Sequence, residues 1–429
     1  MSVGIDIVQI ERIRKAMENP RFSERILTPE EILSGTVDNI QSTAASFAAK
    51  EAFSKALGTG IRGFGLRDIS VLHETCGKPY LHFSPKLQSI LASMGVTDCE
   101  LSISHEKEYA VAVVTLGRDS KSVLYNKAIR TFANDQSDDI ITPEMAENII
   151  PRRQAHIHKG DCGRLFVLAG SIGLTGAGIM ASRAALRSGA GLITLGCPES
   201  LNSIFETCLT EVMTLPLADS DGIINCDDID LIESKADTSD CVLAGPGLTC
   251  GEGIGKIIKS LLQTCTKTLI LDADGINALS RNINILTDRK CDVILTPHVG
   301  EFARLTGLTC QQILEDSTSR AKDFAQRYGV TLVLKSHRTI VATPDGKLYT
   351  NILGNPGMAT GGTGDVLAGC IASFSAQGMS AADSAIAGVY IHSLAADMAA
   401  EELGEYGLTP GDIINTLPYA IKYSIKSGM

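Results

Sequence analysis

The chain has 429 residues, a net charge of −11 and twelve cysteines, with 44% hydrophobic and 20% charged residues. At roughly 100–200 residues per core, this length predicts two or three domains of ordinary soluble composition. The acidic balance argues against general nucleic-acid binding, and no run reaches the ~18 apolar residues of a membrane-spanning helix. Met1–Asp6 lacks the basic start and long apolar run of a signal peptide, which predicts a cytoplasmic protein. The cysteines run from Cys76 to Cys370 with no CxxC pair, so they are expected as reduced, mostly buried small hydrophobes.

In chain order, Val3–Val8 reads as a strand and Glu11–Met17 as a helix. The segment from Glu11 to Arg25 carries Arg12, Arg14, Lys15, Arg21 and Arg25 against Glu11, Glu18 and Glu24. That is a basic face for an acidic partner, or a solvated helix surface. Thr28-Pro29-Glu30-Glu31 starts a helix, with Thr28 as N-cap and Glu31 three residues on. Ala44–Leu57 is a helix ended by Gly58. Short strands follow at Ile69–His73, Tyr80–Phe83, Glu100–Ser104 and Tyr109–Thr115, the last two forming a hairpin around His105-Glu106-Lys107. These make a small α+β domain over residues 1–118. Residues 119–139 are a polar, acidic linker, and Thr142-Pro143-Glu144 caps a lead-in helix to a second domain, 140–429.

From Gly163 the rhythm changes. Apolar runs at Leu165–Ala169, Leu192–Leu195, Cys241–Ala244, Thr268–Leu271, Val293–Thr296 and Thr331–Lys335 alternate with helices at Gly176–Ser188, Ile254–Cys265 and Ser317–Tyr328. Wholly apolar strands alternating with helices predict an α/β fold, a mainly parallel sheet covered on both faces. Ligands then sit at the carboxyl ends of the strands, where Gly245-Pro246-Gly247, Asp272-Ala273-Asp274, Thr296-Pro297-His298 and Lys335-Ser336 fall. Asp272 and Asp274 read either as helix caps or as groups ordering a substrate or Mg²⁺ loop. His156, His158 and Lys159 read as surface residues.

In the first domain, Asp6 is a charge inside an apolar strand, costly unless paired or metal-bound. Glu51 and Lys55 share a helix face, and Asp6 and Glu51 could share one Mg²⁺, an ion content with few carboxylates plus phosphate oxygens and water. Gly4–Ile13, Arg21–Thr28, Phe47–Gly60, Gly77-Lys78-Pro79 and Ser102-Ile103-Ser104-His105 together resemble holo-acyl-carrier-protein synthase. The resemblance implies transfer of 4′-phosphopantetheine from coenzyme A to a serine of acyl carrier protein. It implies Mg²⁺ on Asp6 and Glu51, and Lys55 and His105 at the coenzyme A phosphates. It makes Glu51 or a metal-bound water the candidate base, and Arg12, Arg14, Arg21 and Arg25 the face for the acidic carrier protein. It also implies a homo-oligomer, a trimer with sites between subunits. The chain departs from the family before Phe47, where Asp38–Ser46 lacks the usual arginines. Fewer cations predict weaker coenzyme A binding, or compensation from a neighbouring subunit. The alternative is that this domain serves mainly to oligomerise the second.

In the second domain, Gly361-Gly362-Thr363-Gly364-Asp365 directly precedes an apolar helical pattern. Glycines turn several N–H groups to one point, and a helix N-terminus there makes an anion site. A carboxylate beside it can accept a hydroxyl proton during phosphoryl transfer. With Lys159–Arg164 (KGDxGR), Ala185–Leu192, Gly245-Pro246-Gly247, Leu271–Asp274 and Leu295–Glu301, this run resembles the ribokinase-like ADP/ATP-dependent NAD(P)H-hydrate dehydratases. The resemblance implies that a nucleotide phosphorylates the ring hydroxyl of NAD(P)H hydrate, phosphate leaves, and NADH or NADPH is restored. It makes Asp365 the base and Gly362, Thr363 and Gly364 the anion hole. By the same resemblance Ala177, Gly247, His298 and Asp365 match positions that contact the hydrate. Lys335, Ser336, His337, Arg338, Thr339 and Gly364 contact ADP or ATP, and Ser336 replaces the usual glycine, which leaves the nucleotide preference open. The rival is a vitamin-precursor kinase of the same superfamily. A Rossmann dehydrogenase is disfavoured because Gly245–Cys250 lacks the third glycine of GxGxxG.

Overall fold

The computed structural model describes residues 2–425 apart from 59, 62, 75, 119–138 and 154–155. It divides into two compact units, Met1–Thr131 and Phe132–Met429. The expected linker, 119–139, lies outside the described residues except at Asp139.

In the first unit, strands Ser2–Gln9, Tyr109–Arg118 and Val96–His105 form an antiparallel sheet in that order, and the predicted hairpin is present. Helix Ile40–Leu57 lies on one face of the sheet. It begins four residues before the expected Ala44 because the Asn39 side chain accepts the Gln41 and Ser42 N–H groups as an N-cap. Its buried face is small, with Ala44, Ala48, Ala49, Ala52 and Ala56 around Phe53. That face lets the helix approach Gly4, where a Cβ would collide with the Ala52 carbonyl. The predicted Thr28–Glu31 capping box forms, and Glu31 then reaches the fully buried ammonium of Lys50 at 2.6 Å. Strand Ser2–Gln9 buries Gly4 and Val8 and turns Val3, Ile5 and Ile7 outward, as a period of two requires.

The second unit is built on a ten-stranded sheet. Its order is Asp139–Ile140, Leu348–Thr350, Ile340–Ala342, Thr331–Leu334, Val293–Leu295, Thr268–Leu271, Cys241–Ala244, Arg164–Leu168, Leu192–Pro198, Met213–Leu217. Neighbours are parallel except that Ile340–Ala342 runs against both of its own. The six predicted strands form the centre. The short edge elements escape sequence reading because two- to five-residue runs carry too little periodicity. Helices Thr175–Arg187, Thr363–Ala376, Ala381–Leu403 and Pro410–Ser424 pack together, while Glu252–Thr264, Asp274–Ser280 and Val299–Thr306 form a second group. This is the ribokinase-like α/β arrangement expected. The lead-in helix Pro143–Ile149 is capped by Thr142 as predicted. Among the described residues no helix is long and apolar enough to cross a membrane.

Candidate active sites

The second unit brings its Gly-rich and charged motifs to the carboxyl ends of the central strands. Strand Thr268–Leu271 ends at Asp272, which is 1% exposed. Gly245 lies so near that a Cβ would meet the Asp272 carbonyl, which is why this turn takes glycine. Asp272 Oδ1 accepts the Thr296 hydroxyl at 2.6 Å and the Lys335 ammonium at 2.7 Å. Asp274 accepts the Thr249 N–H at 2.8 Å. Helix Asp274–Ser280 has no side-chain cap, so the cap reading of both aspartates is corrected. Both tie loops of the site together.

Lys335 follows strand Thr331–Leu334, and its N–H donates to the Pro297 carbonyl at 2.8 Å. Burial alone would lower its pKa, but Asp272 and Glu301 raise it, so the ammonium is a fixed positive charge. Its Nζ lies 3.2 Å from where a Cβ on Gly364 would stand, so the glycine lets the cation reach the loop backbone. Helix Thr363–Ala376 starts after Gly362, whose φ is 98°. Asp365 therefore lies inside the first turn, not ahead of the helix as the sequence suggested. A helix N-terminus favours a charged carboxylate. Here burial, then the like charge of Asp272, outweigh it and the opposing Lys335, and the Asp365 pKa is pushed up to about 7. Such a carboxyl is a competent proton acceptor near neutrality.

The anion loop needs one correction. The Thr363 N–H is turned onto the Thr360 carbonyl at 3.3 Å. That leaves the N–H groups of Gly362 and Gly364 as the loop donors with no protein acceptor among the described residues. His298 is the N-cap of helix Val299–Thr306. Its Nδ1 accepts the Gly300 and Glu301 N–H groups, which fixes the proton on Nε2, and the ring is half-exposed. Ala177 and Gly247 are neighbours, and Ser171 holds the Gly247 carbonyl at 2.7 Å. In the loop Lys335–Thr339, the Ser336 hydroxyl donates to the Arg338 carbonyl at 2.6 Å and accepts the Arg338 N–H at 3.2 Å. The departure from glycine thus closes a tight turn. His337 is exposed.

In the first unit Asp6, Glu51 and Lys55 come together. Asp6 is not a lone buried charge, because Lys55 Nζ lies 2.8 Å from its Oδ1 and 3.1 Å from the Ile5 carbonyl. The Glu51 carboxyl is held above the usual range by burial and then by Asp6, with Lys55 opposing. A divalent cation between the two carboxylates would relieve that repulsion, so the pair fits Mg²⁺. His105 is not in this cluster. It ends strand Val96–His105 and lines a cavity of about 610 Å³ with Ser42, Ala45, Ser46, His73 and Tyr80. Lys55 does not line that cavity. Arg12, Arg14, Arg21 and Arg25 are all exposed, on helices Ile10–Met17 and Pro20–Ile26.

Sequence reading missed the partners that hold these groups. Thr296 and Glu301 were visible only as parts of a motif, and Glu31–Lys50 had no local signal because the two residues are far apart in the chain.

Residues 2–114 match the 4′-phosphopantetheinyl transferase superfamily, and residues 165–419 match the NAD(P)H-hydrate dehydratase family. A bifunctional NAD(P)H-hydrate repair enzyme of Moorella thermoacetica is 39% identical over 66% of this chain and 54% of its own length. The chain spans about half the length of the bifunctional relatives it matches. An ADP-dependent (S)-NAD(P)H-hydrate dehydratase of Neisseria meningitidis is 37% identical over 62% of this chain and 87% of its own length. The crystal structure of an ADP/ATP-dependent NAD(P)H-hydrate dehydratase from Bacillus subtilis, co-crystallised with ATP and Mg²⁺, is 29% identical. It covers 68% of this chain and 100% of its own, with a TM-score of 0.59. With more than half its length matched by that family, and its charged loops gathered at one end of a ribokinase-like sheet, this chain belongs to the NAD(P)H-hydrate dehydratases, joined to a phosphopantetheinyl-transferase-like segment.

Proposed function

We propose that the second unit converts (S)-NAD(P)H hydrate to NAD(P)H at the expense of ADP or ATP. The observation that carries this is Asp365, a partly buried carboxyl poised near pH 7 in the first turn of a helix, beside the Lys335 ammonium. Asp365 takes the proton from the ring hydroxyl, and that oxygen attacks the terminal phosphoryl group of the nucleotide. The Gly362 and Gly364 N–H groups and Lys335 face the charge that develops on the phosphoryl oxygens. Hydroxide is a poor leaving group and phosphate a good one, so the phosphorylated ring expels phosphate and loses a ring proton. Ala177, Gly247 and His298 bound the hydrate, with His298 Nε2–H as a donor. The turn closed by Ser336, with His337, Arg338 and Thr339, contacts the nucleotide.

We assign the first unit the transfer of 4′-phosphopantetheine from coenzyme A to a serine of acyl carrier protein. Asp6 and Glu51 would hold Mg²⁺, which supplies charge neutralisation for the coenzyme A pyrophosphate. Glu51 is the candidate base, the cavity lined by His105 takes part of coenzyme A, and the four exposed arginines receive the acidic carrier. Val3, Ile5 and Ile7 are 57%, 55% and 63% exposed on one edge strand, an apolar stripe that supports assembly into a homotrimer. We place the protein in the cytoplasm.

The test is recovery of the near-ultraviolet absorbance of NADH from its hydrate, with ADP and ATP supplied separately. Asp365→Ala should abolish it, and full activity in that variant would remove Asp365 as the base. For the first unit, Mg²⁺-dependent labelling of apo-acyl carrier protein from coenzyme A should be lost in Glu51→Gln.

A further inference from the structure

The loop that carries the anion donors and Asp365 joins strand Leu348–Thr350 to helix Thr363–Ala376. Its crown, Ala359-Thr360-Gly361, is exposed. The Thr360 hydroxyl donates to the Gly357 carbonyl at 3.0 Å, a bond internal to the loop, so the loop's position in the unit must be imposed from its ends. Both ends are gripped by one helix, Ala381–Leu403. Asp397 uses both carboxylate oxygens, accepting the Gly354 N–H at 2.9 Å and the Asn355 amide at 2.8 Å. Asn355 in turn accepts the Gly357 N–H at 3.1 Å, which fixes the short helix Pro356–Met358. One turn back, the Ser393 hydroxyl accepts from Asn351 at 3.0 Å. Next to it His392, 4% exposed, hydrogen-bonds the backbone of Thr363. That backbone contact favours the protonated ring, as a carbonyl acceptor does, while the Thr363 N–H serves Thr360. Burial keeps the ring neutral, with its pKa pushed down to about 4, so this bond carries no charge that neutral pH would alter.

We propose that Asp397, with Ser393 and His392, positions the phosphoryl loop, so that helix Ala381–Leu403 sets where the Gly362 and Gly364 donors and the Asp365 carboxylate stand. None of the three reaches the reacting atoms. They act through the loop, and the inference rests on reading that loop as the phosphoryl-transfer site. Loss of the clamp lets the donors drift, and misplacement by about 1 Å costs on the order of 100-fold in turnover.

The test uses the full-length protein in three forms: Asp397→Ala, Asp397→Asn, and Asp397→Asn combined with Asn355→Asp. The double variant exchanges donor and acceptor, so residue 397 still accepts the Gly354 N–H while its amide donates to residue 355. Two readouts are taken, amide hydrogen exchange over residues 359–365 and the steady-state rate with hydrate and nucleotide. The expected result is faster exchange over 359–365 in Asp397→Ala and a kcat lowered 10- to 100-fold, by about the cost of such misplacement. KM for nucleotide changes much less, and the double variant recovers most of both. Unchanged exchange over 359–365 in Asp397→Ala would overturn the clamp, as would a kcat loss explained by the unfolded fraction alone. Wild-type protein inert towards the hydrate would instead overturn the functional reading, and the exchange measurement would still decide the clamp.

Discussion

The Lys335 ammonium stands 2.7 Å from Asp272 Oδ1, on an oxygen that also accepts the Thr296 hydroxyl, with Asp272 only 1% exposed. The two members of the pair act on Asp365 in opposite senses: the Asp272 charge raises its pKa and the Lys335 ammonium lowers it. Lys335→Met should therefore do two things. It should destabilise the second unit by about 3–5 kcal/mol, because a buried carboxylate loses its partner. It should also move the acidic limb of the kcat/KM–pH profile above 7, since the positive charge that opposes the rise is gone. Thermal unfolding and a pH–rate series check both.

Asp365 predicts its own pH dependence. With a folded pKa of about 7 against an ordinary 3.8, the folded state binds this proton more tightly than the unfolded chain. The stability it contributes is full below the ordinary value, is lost as pH rises towards 7, and stays lost above it. Activity runs the other way, because a base must be unprotonated, so the rate should climb through about pH 7. Asp365→Asn should abolish turnover, raise the melting temperature at pH 8, and leave it nearly unchanged at pH 4. The gain should be about 2–4 °C per kcal/mol recovered.

Glu51 has a raised pKa from burial and from Asp6. The same sign applies, and the penalty grows as pH rises through the ordinary carboxylate range. Mg²⁺ should raise the melting temperature of the first unit more at pH 8 than at pH 4. The effect should disappear in Glu51→Gln and Asp6→Asn, as read by thermal shift with and without EDTA.

The cavity beside His105 is lined by Ser42, Ala45 and Ser46. Ser42→Arg adds a cation at its partly exposed rim. Calorimetry on the full chain should show coenzyme A binding tightened about fivefold, the ~1 kcal/mol of a partly screened charge pair. Unchanged affinity would place the phosphates elsewhere.

Much of this site was legible because its elements are local. The Thr28–Glu31 and Thr142 caps follow from residues three apart, and Gly58 ends its helix at a φ of 80°. The loop Gly361–Asp365 reads as an anion site through its own glycines, the reading proposed above. Helix starts were placed less well. Ile40–Leu57 begins at an asparagine cap whose signal was weaker than the alanine run that follows, and Asp365 proved to lie inside its helix.

The sequence by itself determined the two families, the order of the central strands' motifs and the residue types at the reactive loop, because these rest on spacing along the chain. Only the tertiary structure decided which charges meet. Asp272 and Lys335 are 63 residues apart, and Asp397 reaches back 42 residues to Asn355. Lys55 answers Asp6 rather than the nearer Glu51. The reason is physical: a pKa near 7 at Asp365 depends on burial and on like charges brought in from other strands, and no run of residues encodes the distance between them.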